Sequence, residues 1–380
     1  MPDLINKTIL ILSPQAWGKM FVSKHHYAVE LARRGNRVYF LNPPGEGHLS
    51  KERVAVKALP DAEGLFLITH RLYFPYDIKF HAPRLFHWLI RRQVRNILGA
   101  IGSPLDMVWS FDLNNIYPLS YFGKRAYKVF HPVDEPLNKA AILSGEGAHV
   151  VFSVTEEILE KYRHLPVARH FINHGVAEDF LCPSYRREPG DTAIQVGFSG
   201  NLLRKDIDRE TLLKIVRQHP SVKFNFWGSF SLSQANMGGG EDGPTKAFIE
   251  ELQSLDNVVL YGAVSSLELA RAIHGMDAFL ICYDIEKDQS GGTNYHKIME
   301  YLCTGKVIIG NNITTYKNKP GLVQMVNERD NNRELPALFD HVIRRLDEYN
   351  TTSLQEQRIA FAASNTYSRQ IGRIEKILKP

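Results

Sequence analysis

Short apolar runs rich in β-branched residues alternate with longer stretches of helical periodicity along this chain, and the whole pattern occurs twice. Runs of this kind are how strands of a parallel sheet appear in sequence, because a strand covered by helices on both faces needs no polar side. In the first half, strands are expected at Thr8–Leu12, Arg37–Leu41, Leu65–Thr69, Asp106–Trp109, Tyr127–Phe130, His149–Phe152 and Arg169–Ile172. The second half restarts at Ala193–Phe198 and continues with Val222–Trp227, Val258–Tyr261, Ala278–Cys282 and Val307–Gly310. Between them, CPSYRREPGD combines two prolines, a glycine and a cluster of charges, which reads as a linker. The expected fold class is α/β with two Rossmann-like domains, residues 1–182 and 192–362, joined by residues 183–191. Residues 363–380 follow as a helix whose apolar stripe, Tyr367, Ile371, Ile374 and Leu378, must be covered by something.

Composition narrows the class. A chain of 380 residues is long for one core and suits two domains, and 44% hydrophobic with 23% charged residues excludes wholesale disorder. The formal charge of +5 reads as spread along the chain, without the basic run of a nucleic-acid tail, so no nucleic-acid partner is expected. Cys182, Cys282 and Cys303 stand far apart without a metal-ligand spacing, which points to reduced structural thiols and no metal site. The opening MPDLINKTILIL lacks a signal peptide's longer apolar core, and no run of about 18 apolar residues occurs, so a cytoplasmic location is expected. Peripheral contact with the inner face of the plasma membrane is the alternative offered by Arg71–Gly99, where six basic residues interleave with Phe80, Leu85, Phe86, Trp88, Leu89 and Ile90. The same segment also has the apolar face of a crossover helix.

Ligands of open parallel sheets bind beyond the carboxyl ends of the strands, so chemistry is sought in the residues that follow each run. After the first strand come Trp17, Lys19, His25 and His26: an aromatic that can stack on a sugar, with polar groups for acceptor hydroxyls, although paired histidines at a helix start also serve as caps. The fifth strand runs into His131, Asp134 and Glu135, positioned for proton handling or sugar binding, while Asp134 can equally cap a helix. The second half opens with Gly200, Arg204 and Lys205, a glycine turn followed by two cations that suits a diphosphate. In DQSGGTNYHKIMEYLCTGK, helical spacing puts Thr293, Lys297, Glu300 and Thr304 on one stripe.

These segments resemble the bacterial GT-B glycosyltransferases related to the retaining family-4 enzymes. FINHGVAEDF is similar to their "NGVD--F" signature, with Asn173, Gly175, Val176 and Phe180 matching and His174 inserted, and the Lys297–Lys306 stretch is similar to their donor-binding "P-K--EY-A-GKPVV" helix. The resemblance implies GT-B architecture, two parallel sheets facing a cleft, and a C-terminal helix crossing back to the first domain. It implies a hexosyltransferase-like enzyme that moves a sugar from a UDP- or GDP-sugar to a glycan, lipid-linked or other hydroxyl acceptor, with retention and without a metal or further cofactor.

By residue, the resemblance has Gly200, Arg204 and Lys205 around the diphosphate and Lys297 in the donor-binding set, while Glu300, with two carboxylate oxygens, suits the two ribose hydroxyls. The N–H groups of Gly291, Gly292, Thr293 and Asn294 are expected to face the leaving group, and Tyr295 is a further expected donor-binding residue. His131, Asp134, Arg204 and Lys205 are the expected catalytic groups; Trp17, Lys19, His25 and His174 are the expected acceptor contacts. One position departs from the pattern: relatives carry a glutamate eight residues before the ribose-binding one, and here that residue is Gly292. A sugar-nucleotide epimerase or hydrolase on the same fold, or a non-catalytic partner in glycan assembly, are the alternatives. A nicotinamide enzyme is disfavoured because no GxGxxG follows the first strand.

Overall fold

The computed structural model describes residues 4–18, 21–45, 53–182, 192–232, 240, 242–288 and 291–379. Lys19 and the expected linker 183–191 lie outside the described residues. Two units divide the chain, one built on Phe21–Asn173 with the strand that precedes it and the residues from Gln370 onward, the other on His174–Arg369.

In the first unit, the apolar runs form strands β1 (Thr8–Leu12), β2 (Arg37–Leu41), β3 (Val54–Ala58), β4 (Leu65–His70), β5 (Met107–Ser110), β6 (Tyr127–Phe130), β7 (Val150–Ser153) and β8 (Ala168–Phe171). They assemble in the order β3-β4-β2-β1-β5-β6-β7-β8, parallel throughout except for the antiparallel β3–β4 edge. Strand β3 was not expected: its side chains are part-exposed or exposed, so VAVKA lacks the continuous apolar character of a strand covered on both faces. Helices α1 (Ser23–Arg33), α2 (Ile78–His81), α3 (Pro83–Ile101), α4 (Lys139–Leu143) and α5 (Glu156–Lys161) make the connections. Helix α1 is followed by Arg34 as its C-cap and then by Gly35 at φ 81°, the left-handed position a glycine allows.

The second unit has β9 (Ile194–Ser199), β10 (Val222–Trp227), β11 (Val258–Gly262), β12 (Ala278–Ile281), β13 (Val307–Gly310) and the two-residue β14 (Gln324–Met325), too short to register as a run. All pairings are parallel and the order is β11-β10-β9-β12-β13-β14. Chain order therefore reverses between β9 and β12, and that reversal opens the crevice in which doubly wound sheets hold their ligands. The helices are α6 (Arg209–Gln218), α7 (Gly243–Gln253), α8 (Ser266–Ala272), α9 (Lys297–Leu302), α10 (Leu335–Arg344), α11 (Leu346–Tyr349), α12 (Thr352–Ala363) and α13 (Tyr367–Leu378). Each unit has its own apolar core.

The stripe of α13 is covered: Tyr367, Ile371, Ile374 and Leu378 are all buried. In the part of α13 that groups with the first unit, Glu375 accepts from the Leu4 N–H at 2.7 Å and pairs with Arg34 at 3.0 Å. No helix among the described residues is long and apolar enough to cross a membrane.

Candidate functional site

At the strand-order reversal of the second unit, β9 ends in Ser199 and the chain turns through Gly200, while β12 leads into Cys282 and Tyr283. Lys297, the first residue of α9, reaches this point: its Nζ donates to the Ser199 carbonyl at 2.6 Å and to the Tyr283 hydroxyl, and lies over the Phe198 and Tyr283 rings. The buried ammonium is desolvated, which lowers its pKa to about 8 against the pull of Glu300 upward. Gly200 cannot be exchanged freely, because a Cβ there would stand 2.9 Å from both the Lys297 Nζ and the Tyr283 hydroxyl. Tyr301, one turn along α9, receives the Ser199 N–H on its hydroxyl at 2.6 Å and stacks on Phe279 at 4.1 Å. Helix and strand are thus stitched together at the crevice.

Glu300 is partly exposed and makes no hydrogen bond or ion pair with any described residue. Burial raises its carboxyl to about 7, with Lys297 pulling the other way. A carboxylate left with both oxygens open can accept from two neighbouring hydroxyls.

Several expected roles change. The Lys297–Leu302 helix is six residues long, so Thr293 precedes it and Thr304 follows it, and the expected four-residue stripe is not one helical face. Gly291 and Gly292 sit at φ 57° and 66°, and their N–H groups are consumed internally: Gly291 donates to the Asp288 carbonyl at 2.9 Å and Gly292 to the Asp288 carboxylate at 3.1 Å. They do not point outward as an anion cradle. Asp288 also receives the Tyr295 hydroxyl at 2.7 Å, which turns Tyr295 inward against Tyr283. Thr293 and Asn294 are buried in the same turn.

Arg204 is already committed, with Nε at 2.9 and 2.8 Å from the two oxygens of buried Asp206. Burial alone would lower its pKa, but the Asp206 bonds and charge hold it above the ordinary arginine value. Lys205 is exposed and pairs with Asp242 at 2.8 Å. Both cations were expected to face a diphosphate; the structure gives each a carboxylate partner, because the acids that follow in the sequence fold back on them.

In the first unit, His131 is fully buried among Tyr27, Trp109, Phe111 and Phe152, and its Nδ1 accepts from the Trp109 indole at 3.3 Å. It is a core side chain with no access to a substrate. His25 caps α1: Nδ1 accepts the Val22 N–H and Nε2 donates to the Ala16 carbonyl, both at 3.1 Å. Burial lowers its pKa to about 4 and that of His26 to about 3, so both are neutral. Trp17 packs edge-on against His25 and Phe40, and His174 is buried 6.2 Å from the His296 ring. Glu135 pairs with Lys161, while Asp134 remains partly exposed without a hydrogen bond or ion pair among the described residues.

Sequence reasoning overlooked Tyr283, Ser199 and Lys24. Tyr283 and Ser199 stand at strand ends, where the rule used for the other candidates finds them. Lys24 gave no such signal: it is buried at the second position of α1, desolvated to a lower pKa, and faces the charges of Asp134 and Asp112. Among the described residues no three His, Cys, Asp or Glu side chains come together.

No protein-family model and no curated protein matches the sequence. Solved structures do. Sucrose-phosphate synthase from Thermosynechococcus elongatus superposes with a TM-score of 0.73 at 12% identity over 98% of both chains. HepE from Anabaena, solved with UDP and glucose, gives 0.64 at 14% identity over 98% of this chain and 99% of that one. A trehalose 6-phosphate synthase from Burkholderia multivorans gives 0.64 at 12% identity over 97% of each. The chain has the GT-B fold.

Proposed function

We propose that this GT-B chain transfers a sugar from a nucleotide-diphosphate sugar to a hydroxyl acceptor. The observation that carries the reading is Glu300, a carboxylate without a hydrogen bond or ion pair among the described residues, next to an ammonium pinned at the strand-order reversal of a six-stranded doubly wound sheet. In this reading Glu300 accepts the two ribose hydroxyls, and the Lys297 ammonium faces the diphosphate beside the Gly200 turn, whose Gly200 N–H is already bonded to the Trp227 carbonyl. Arg204 is a positioning residue that holds the turn through Asp206. The fold neighbour HepE was solved with UDP-glucose, which supports a uridine nucleotide as the first donor to try.

The finer reading is a hexosyl transfer with retention and without a metal. The acceptor oxygen bonds to the anomeric carbon on the face from which the diphosphate leaves, and the acceptor proton passes to a phosphate oxygen of the leaving group. The acceptor is a glycan or a lipid-linked saccharide. A panel of UDP- and GDP-sugars, with and without acceptors, tests the reading by nucleotide release: acceptor-stimulated release is expected. Interconversion or hydrolysis at the same rate without acceptor replaces transfer by epimerase or hydrolase chemistry, and no binding of any nucleotide rejects the site.

A further inference from the structure

We propose that the α2–α3 surface of the first unit docks on an anionic lipid bilayer. Counted by segment, the basic excess of the chain is not spread as it first reads. Arg71–Ile101 holds six Lys and Arg against the single acid Asp77, a surplus equal to the +5 of the entire protein, so the rest of the chain is neutral. The net surplus therefore lies in this one segment.

Helix α3 divides that surface cleanly. Phe86, Leu89, Ile90, Val94 and Ile97 are buried in the core of the unit, which accounts for the crossover-helix face. The core leaves a second apolar group outside: Trp88 is 57% exposed, Leu85 48%, and Phe80, at the end of α2, 67%. Arg84, Trp88, Arg92 and Arg95 follow at spacings of a helical turn and share one side of α3. Arg84, Arg92 and Arg95 are exposed and form no ion pair with any described residue. Arg91 is spent differently, over the Tyr121 ring at 4.7 Å.

Exposed arginines without acids beside them favour a polyanion. Leu85 separates the candidates, since an aliphatic side chain gains little against stacked bases but partitions into the headgroup boundary together with Trp88 and Phe80. A bilayer satisfies both groups at once: arginines at the phosphates, and the aromatic and aliphatic side chains beneath them. An acceptor carried on a membrane lipid would meet the enzyme there. The inference stands apart from the transfer reading, because docking is measured without donor or acceptor.

Sedimentation of the full chain with vesicles of phosphatidylcholine alone, or of phosphatidylcholine with phosphatidylglycerol, provides the test. The protein is expected to pellet with the anionic vesicles at low salt, less as salt rises, and to stay in the supernatant with neutral ones. Replacing Arg84, Arg92 and Arg95 together by Gln is expected to reduce partitioning on the order of a hundredfold, about fivefold for each charge. Trp88→Ala and Phe80→Ala are expected to reduce it without moving the melting temperature, since both side chains lie outside the core. Wild-type protein that remains in the supernatant with anionic vesicles at low salt overturns the proposal, as does an Arg84→Gln/Arg92→Gln/Arg95→Gln variant that pellets undiminished. A single-stranded oligonucleotide retained where vesicles are not would assign the surface to nucleic acid and overturn it too.

Discussion

Lys297 donates from its Nζ to the carbonyl oxygen of Ser199 at 2.6 Å, across 98 residues of sequence. The bond joins the start of α9 to the end of β9 where the strand order of the second sheet reverses. A buried ammonium at such a crevice is desolvated unless an anion enters, so the proposed donor diphosphate would relieve an existing cost.

Lys297→Met keeps the length of the side chain and removes the charge. Affinity for free UDP is expected to fall by the worth of a charged hydrogen bond, roughly 1.5–3 kcal/mol, while the fold persists. Titration calorimetry checks the first and thermal melting the second. The native lysine loses its proton near pH 8 in the folded state but near 10.5 when unfolded. Between those values the unfolded chain binds more protons, so wild-type stability is expected to rise relative to the Met variant as pH climbs through that window. Equal UDP affinity in the two proteins would remove Lys297 from the site.

Glu300→Gln reports on the open carboxylate. The folded acid titrates at about 7 and the unfolded one at 4.5, so the folded state binds more protons in between. Wild-type stability is therefore fully retained below pH 4.5 and declines as pH rises to 7. The Gln variant is expected to match wild type near pH 4 and to exceed it at pH 8, by up to about 3 kcal/mol. Denaturant melts at the two pH values measure this, and a variant no more stable at pH 8 contradicts the desolvated state of the carboxylate.

Arg204→Ala removes the partner of buried Asp206. Leaving that carboxylate alone is expected to cost about 1.5–3 kcal/mol, and adding Asp206→Asn to recover most of it. If the double variant melts no higher than the single one, the pair does not act as a unit in holding the turn.

Gly292→Glu would restore the acid of the resembling enzymes. Its backbone lies at φ 66° and a Cβ would meet the Asn312 carbonyl at 3.0 Å, so the substitution is expected to destabilise by about 1–3 kcal/mol without raising donor affinity. Improved UDP-glucose binding in a stably folded variant would show that the loop can shift, and that the departure at this position is functional.

The chain itself determined the α/β class, the doubling of the pattern and the place of nearly every parallel strand, because a strand covered on both faces must be apolar along its length and that demand is local. It also marked the α13 stripe as a face to be covered, and the residues after β9 and the donor segment around Glu300 as places for chemistry. Only the tertiary structure decided what those residues do. Arg204 and Lys205 look like free cations until Asp206 and Asp242 close on them, and His131 looks expressive until four aromatic rings enclose it. The helix of the donor segment is six residues long, and ahead of it Gly291 and Gly292 take left-handed φ values while Asp288 binds the Gly292 N–H and the Tyr295 hydroxyl. These outcomes turn on which polar group finds a partner, at the surface for Lys205 and in the interior for the others, and that competition is settled by three-dimensional proximity, which hydrophobic periodicity does not encode.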